Sequence, residues 1–120
     1  MNNKEYKKQL ISRALKLARA AILLTDKFPN KRSAWVITDQ LIRAITSIGA
    51  NIIEAQAASS RKDFANFLNH ALKSANESKF WLTLAKDIDP KLVQEIEDLI
   101  AETDELAKIL ASSLIKLRNK

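Results

Sequence analysis

An all-α fold is predicted, an antiparallel up-down-up-down four-helix bundle forming a single domain over residues 1–120. Three features of the sequence point to it. Apolar residues recur at three- and four-residue spacing through four long segments, the period of an amphipathic helix. Gly occurs once and Pro twice, which leaves few tight turns or sheet corners. Short polar stretches around residues 28–31, 58–63 and 87–90 separate the segments, and connections this short make neighbours antiparallel.

The first helix is expected from Glu5 to Lys27. Asn2 or Asn3 supplies a cap, and Glu5 sits near the positive end of the dipole. The expected core stripe is Leu10, Ile11, Ala14, Leu15, Ala18, Ala21, Ile22 and Thr25. Leu17, Leu23 and Leu24 broaden the apolar surface, as in a helix with more than one neighbour. Pro29 ends the segment, because it has no N–H to donate and drives Phe28 out of the helical region. Phe28 is expected to pack back as a lid.

The second helix is expected from Ser33, as N-cap, to Ala58. Leu41, Ile45, Ile48 and Ile52 make its central stripe, flanked by Ile37, Ile42 and Ile53. A second stripe of small and polar residues runs through Gln40, Ala44, Ser47, Asn51, Glu54 or Ala55, and Ala58. Gly49 interrupts this helix at a cost of about 1 kcal/mol relative to Ala. Either another helix approaches so closely that a Cβ would clash, or a long helix tolerates one Gly.

Ser60 and Asp63 form an N-cap and its N3 partner for the third helix, which ends near Lys86. Its apolar face is Phe64, Phe67, Leu68, Ala71, Leu72, Ala75 and Leu82, with Trp81 at the edge. Asp89 as N-cap and Pro90 at the first helical position start the fourth helix. Its core is Leu92 or Val93, Ile96, Leu99, Ile100, Thr103, Leu106, Ala107, Leu110 and Leu114. An acidic face opposes this core, and Lys116, Arg118 and Lys120 suit the negative carboxyl end.

Composition narrows the chemistry. Cys is absent, which excludes disulfides, thiolate catalysis and Cys-based metal sites and fits a cytoplasmic protein. No apolar run reaches the roughly 20 residues of a membrane span, so no membrane partner is expected. The single His70 lacks the Glu-x-x-His partner of a bundle metal site, since Phe67 stands at that position. There is no Gly-rich phosphate loop. Glu54 and Glu77 read as ion-pair partners of Arg43, Arg61 or Lys73, or as polar contacts at a subunit interface, more readily than as an acid/base pair. A non-enzymatic protein with no cofactor and no bound metal is expected.

The net charge of +6 is uneven. Residues 1–62 carry twelve basic and four acidic side chains, and residues 63–120 carry eight and ten. Such polarity suits a polyanion at the amino-terminal half, or simply a solvated surface. Candidate phosphate contacts are Arg13, Lys16, Arg19, Arg32, Arg43, Arg61 and Lys62. Arg61 and Lys62 lie beside Ser59 and Ser60, where the first amides of the third helix are free to meet an anion. The alternative to nucleic-acid binding is a scaffold whose basic face meets an acidic protein.

Ser47-Ile48-Gly49-Ala50-Asn51-Ile52-Ile53-Glu54-Ala55, then Ser60-Arg61-Lys62-Asp63-Phe64, then Ala71 to Glu77 and Trp81-Leu82 form a combined pattern. With the Lys27-Phe28-Pro29 turn and Gln40 to Ala44, it resembles the four-helix-bundle family of 23S rRNA intervening-sequence proteins. Members are encoded within insertions in bacterial large-subunit ribosomal RNA genes or elsewhere in bacterial genomes. A relative is the accessory variability determinant protein of diversity-generating retroelements, a basic pentamer that binds nucleic acid and works with a reverse transcriptase. The resemblance implies a homo-oligomer, a homopentamer around a central channel, with RNA or DNA as ligand and a reverse transcriptase as a possible partner class. It also implies a subunit seam or channel lining at Ser47, Asn51, Glu54 and Trp81. The acidic fourth helix and moderate net charge depart from the retroelement relative.

Overall fold

The computed structural model describes residues 3–119. It is an all-α bundle of four helices: α1 (Asn3–Thr25), α2 (Arg32–Gln56), α3 (Arg61–Ala85) and α4 (Val93–Arg118). A 3-10 turn, Pro90–Leu92, leads into α4. Each helix packs on its neighbours in sequence, and α1 closes the ring against α4. The particle measures 48 × 25 × 20 Å. No described helix is long and apolar enough to cross a membrane.

The helix ends follow local chemistry, with two corrections. Ser60 caps α3 as expected, its Oγ accepting from the Asp63 N–H at 3.0 Å. Asp63 reaches back to the Ser59 N–H at 3.3 Å. Ser33 does not cap α2. The extended residue is Lys31, with no side-chain cap, because Trp35 N–H already donates to the Lys31 carbonyl at 3.1 Å. The Asn30 carboxamide fixes that turn by accepting from Trp35 Nε1 at 2.8 Å. Asp89 caps the last connection through the Lys91 N–H, but the first turn after Pro90 is 3-10 and α4 proper starts at Val93. Capping by Asn2 or the Asn3 side chain, and the role given to Lys120, lie outside the described residues.

The core is one cluster drawn from all four helices. Leu41, Ile45, Ile48 and Ile52 of α2 are fully buried, as the central stripe required. Phe28 packs against this cluster from its turn. On α3 the buried side is largely small: Ala71, Ala75 and Ser78 lie between Leu68 and Leu82, and Ala85 follows. The larger residues of α2 and α4 fill the space these leave. Buried Ser78 and Thr103 are satisfied locally, each donating to the carbonyl four residues back at 2.7 Å.

On α1 the expected stripe is corrected. The buried residues are Leu10, Ala14, Leu17, Ala21 and Leu24. Leu15 and Ile22 are 49% and 44% exposed, and Leu23 is 62% exposed. Ile11, Leu15, Ala18, Ile22 and Thr25 have the same 4-3-4-3 spacing as the buried set, but lie one position further round the helix.

Gly49 sits opposite Ala14 in the α1–α2 seam. A Cβ built on Gly49 would lie 3.4 Å from the Ala14 Cβ, which is contact and not clash. The close approach is real, but it leaves room for one methyl. Gly49→Ala is therefore expected to stabilise the fold by about 0.5–1 kcal/mol through helix propensity. A lower urea midpoint for that variant would show that the seam has no such room.

Candidate nucleic-acid interface

The acidic face of α4 is mostly matched within the subunit. Arg13 of α1 holds Glu102 with two hydrogen bonds, Nε to Oε2 at 3.0 Å and Nη2 to Oε1 at 2.7 Å. Lys27 pairs with Glu95 at 2.8 Å, Lys79 with Asp104 at 3.0 Å, and Lys86 with Glu97. Hydrogen bonds from Lys79 and then Lys108 hold the Asp104 carboxyl below its ordinary pKa. The hydrogen bond to Glu102 raises that of Arg13. Four of the six acids of α4 thus serve to clamp it to α1, α3 and the turns that follow them. Asp98 and Glu105 remain exposed and outside these pairs.

Of the fourteen described basic side chains outside ion pairs, seven meet at one end. The antiparallel topology brings together the start of α1, the α2–α3 elbow and the end of α4. Lys4, Lys7 and Lys8 come from α1, Arg61 and Lys62 from α3, and Lys116 and Arg118 from α4. All seven are exposed. The acids near them are Glu5, Glu54 and Asp63, and Asp63 is engaged at the elbow. The opposite end is balanced. There, five basic residues (Lys27, Lys31, Arg32, Lys86, Lys91) stand with five acids (Asp26, Asp87, Asp89, Glu95, Glu97).

Two grooves open on the basic end. One, of about 350 Å³, lies at the mouth of the bundle between Tyr6, Gln56, Phe64 and Lys116. The other, of about 420 Å³, runs between α3 and α4, with Arg61, Lys62 and Arg118 around Ala65, Leu114 and Leu117. Arg61 Nη2 also donates to the Leu117 carbonyl at 2.9 Å, which satisfies a free carbonyl at the end of α4.

The candidate phosphate contacts therefore separate. Arg61 and Lys62 belong to the basic end. Arg13 is an intramolecular ion-pair residue on the α1–α4 seam. Lys16, Arg19 and Arg43 are exposed along the sides, and Arg32 is exposed at the balanced end. Arg13→Gln is expected to leave nucleic-acid affinity within about twofold and to cost at most about 1 kcal/mol of stability, the range of an exposed pair. Titration and urea unfolding of the same variant check both halves.

The small and polar stripe of α2 lies in the α2–α3 seam. Ser47 Oγ accepts from Asn51 Nδ2 at 2.9 Å and from Ser74 Oγ at 3.1 Å. Asn51 also donates to the Ser47 carbonyl. Both residues are half-buried and have partners inside one subunit. Glu54 is exposed on the outer side of the same helix. Trp81 is half-buried, donates to Glu77 Oε2 at 3.0 Å and meets Phe80 edge to face at 5.0 Å. Among the described residues, Glu54 and Glu77 form no ion pair with Arg43, Arg61 or Lys73, which leaves contacts at a subunit interface as the remaining expected role. His70 is exposed on α3, and no cluster of three or more metal-ligating residues occurs among the described residues.

Lys4, Lys7, Lys8, Lys116 and Arg118 were not among the sequence candidates. Their signal was available only through topology, since they are separated by most of the chain and converge once α1 and α4 are antiparallel.

The family model described as 23S rRNA-intervening sequence protein matches residues 6–112. A similar solved structure is a protein of unknown function from the S23 ribosomal protein family of Bacteroides thetaiotaomicron VPI-5482. It is 36% identical, with a TM-score of 0.79, over 88% of this chain and 97% of that one. None of the curated proteins matches this chain.

Proposed function

The chain belongs to the 23S rRNA-intervening sequence protein family, and from that premise we propose that it is a non-enzymatic, self-associating protein that binds nucleic acid through the basic end of its bundle. The observation that carries the reading is the convergence of Lys4, Lys7, Lys8, Arg61, Lys62, Lys116 and Arg118 on one end, while four of the six acids of α4 are matched elsewhere. Ribosomal RNA is the natural first ligand to try, given the family. Phosphate contacts of this kind produce steep salt dependence and little sequence preference. Titrating a labelled structured RNA and a matched DNA duplex at several salt concentrations tests the reading. Failure of both to bind at low salt would sink it.

A second observation favours self-association. Leu15 and Ile22 of α1 and Ile53 of α2 are 49%, 44% and 54% exposed. With half-buried Ile11, Ala18 and Ile42, they form an apolar strip flanking the Gly49–Ala14 contact. An apolar strip of this kind marks an interaction surface more often than a solvated one. Ile22→Glu with Ile53→Glu is expected to leave helicity intact and reduce the sedimenting mass to that of one chain. An unchanged oligomer would move the interface elsewhere, and Glu54 with Trp81 would then be the next surface to alter.

A further inference from the structure

The cleft at the mouth of the basic end has features that simple phosphate binding does not require. Its floor is apolar: Leu10 and Leu68 are 8% and 4% exposed. Its walls include two aromatic rings, Tyr6 from α1 and Phe64 from α3. Lys7 and Lys116 stand at its rim. Gln56 and Ser113 add polar atoms, and each already donates to the backbone carbonyl four residues back, at 2.8 and 3.0 Å. Ser113 is left with acceptor lone pairs, whereas Gln56 keeps its carbonyl oxygen and a second amide N–H, so the cleft offers both acceptors and a donor.

An occupant matching this arrangement is flat, partly apolar, carries polar edge atoms that both donate and accept, and is tied to negative charge. We propose that the cleft receives one unstacked base of a single-stranded nucleic acid, while its flanking phosphates lie on Lys7 and Lys116. The proposal rests on the nucleic-acid reading above and deepens it, since it names single strands over duplex as the ligand. A volume of about 350 Å³ is at the small end of ligand sites, which suits a base better than a long acyl chain. Aromatic rings beside basic side chains are the usual platform for bases of single strands. A base paired within a duplex has no ring face free to enter.

The test uses the full chain and three probes: an adenosine RNA hexamer, its abasic sugar-phosphate counterpart with the same number of phosphates, and an RNA duplex. The hexamer is expected to bind about tenfold or more tightly than the abasic strand. Tyr6→Ser, at a position already 41% exposed, is expected to erase that difference without changing the salt slope. Equal affinity for hexamer and abasic strand would overturn the cleft proposal while leaving phosphate binding intact. So would a Tyr6→Ser variant that keeps the preference. A Tyr6→Ser variant that loses self-association but keeps its RNA affinity would assign the cleft to a second copy and also overturn it. Absence of binding to all three probes would overturn the nucleic-acid reading itself.

Discussion

Leu17→Ala is expected to destabilise the fold by about 2–5 kcal/mol, whereas Leu23→Ala stays within about 0.5 kcal/mol of the parent. The two leucines lie six residues apart on α1 and are chemically identical. Leu17 is 2% exposed within the core and Leu23 is 62% exposed. Truncating Leu17 loses the transfer free energy of its buried atoms and leaves a cavity among residues of several helices. A loss at the upper end would be a large part of the roughly 5–15 kcal/mol that holds a domain of ordinary stability. Urea unfolding should show the midpoint falling for Leu17→Ala with the slope unchanged. Comparable losses for both variants would mean that α1 is turned differently from the arrangement described.

The largest functional effect is expected from reversing Lys7, Lys62 and Lys116 together to Glu. Each is exposed at the basic end, and none carries an ion pair among the described residues. Arg61 is left alone because it also holds the Leu117 carbonyl. A negative charge near the start of α1 or α3 suits the helix dipole, while one near the end of α4 opposes it, so the net cost to folding is small. Loss of three phosphate contacts should lower the magnitude of the log–log salt slope by about 3 and weaken binding roughly a hundredfold or more. Reversing Lys16, Arg19 and Arg43 on the sides of the bundle is the matched control, and a smaller effect is expected there. If the side variant loses more affinity than the end variant, the binding face has been misplaced.

Most of the fold was legible in the sequence because local chemistry and periodicity agree there. Ser60 with Asp63 and Asp89 with Pro90 mark helix starts by side-chain capping, which depends only on neighbours in sequence. The central stripe of α2 was legible because no other α2 face is comparably apolar. On α1 periodicity was ambiguous, since two adjacent stripes share one spacing and both are apolar. Only packing decides that Leu17 and Leu24 go in while Leu15 and Ile22 stay out. The start of α2 was misread because Ser33 is a good cap by type, yet the turn at Asn30 and Lys31 already begins the helix.

The candidate site was legible only at the elbow. Arg61 and Lys62 are adjacent, so their charge stands out in a linear reading. Lys7 and Lys116 lie near opposite ends of the chain, and only the closed ring of helices brings them to one cleft. Arg13 shows the converse. Its charge counts toward a basic half in sequence, but Glu102, 89 residues away, takes it up. The charge asymmetry between the halves of the sequence is thus partly offset in three dimensions, where Arg13 and Lys27 of the basic half meet Glu102 and Glu95 of the other.

The measurement that tests the central claim most directly is fluorescence anisotropy of a labelled single-stranded RNA against the parent protein and the Lys7, Lys62, Lys116 reversal, across a salt series. Micromolar or tighter binding by the parent at near-physiological salt, a steep salt slope, and loss of both in the reversal is the predicted result. Binding by the reversal with the parent's affinity and slope, or no binding by the parent even at low salt, would contradict the assignment of the basic end as the nucleic-acid interface.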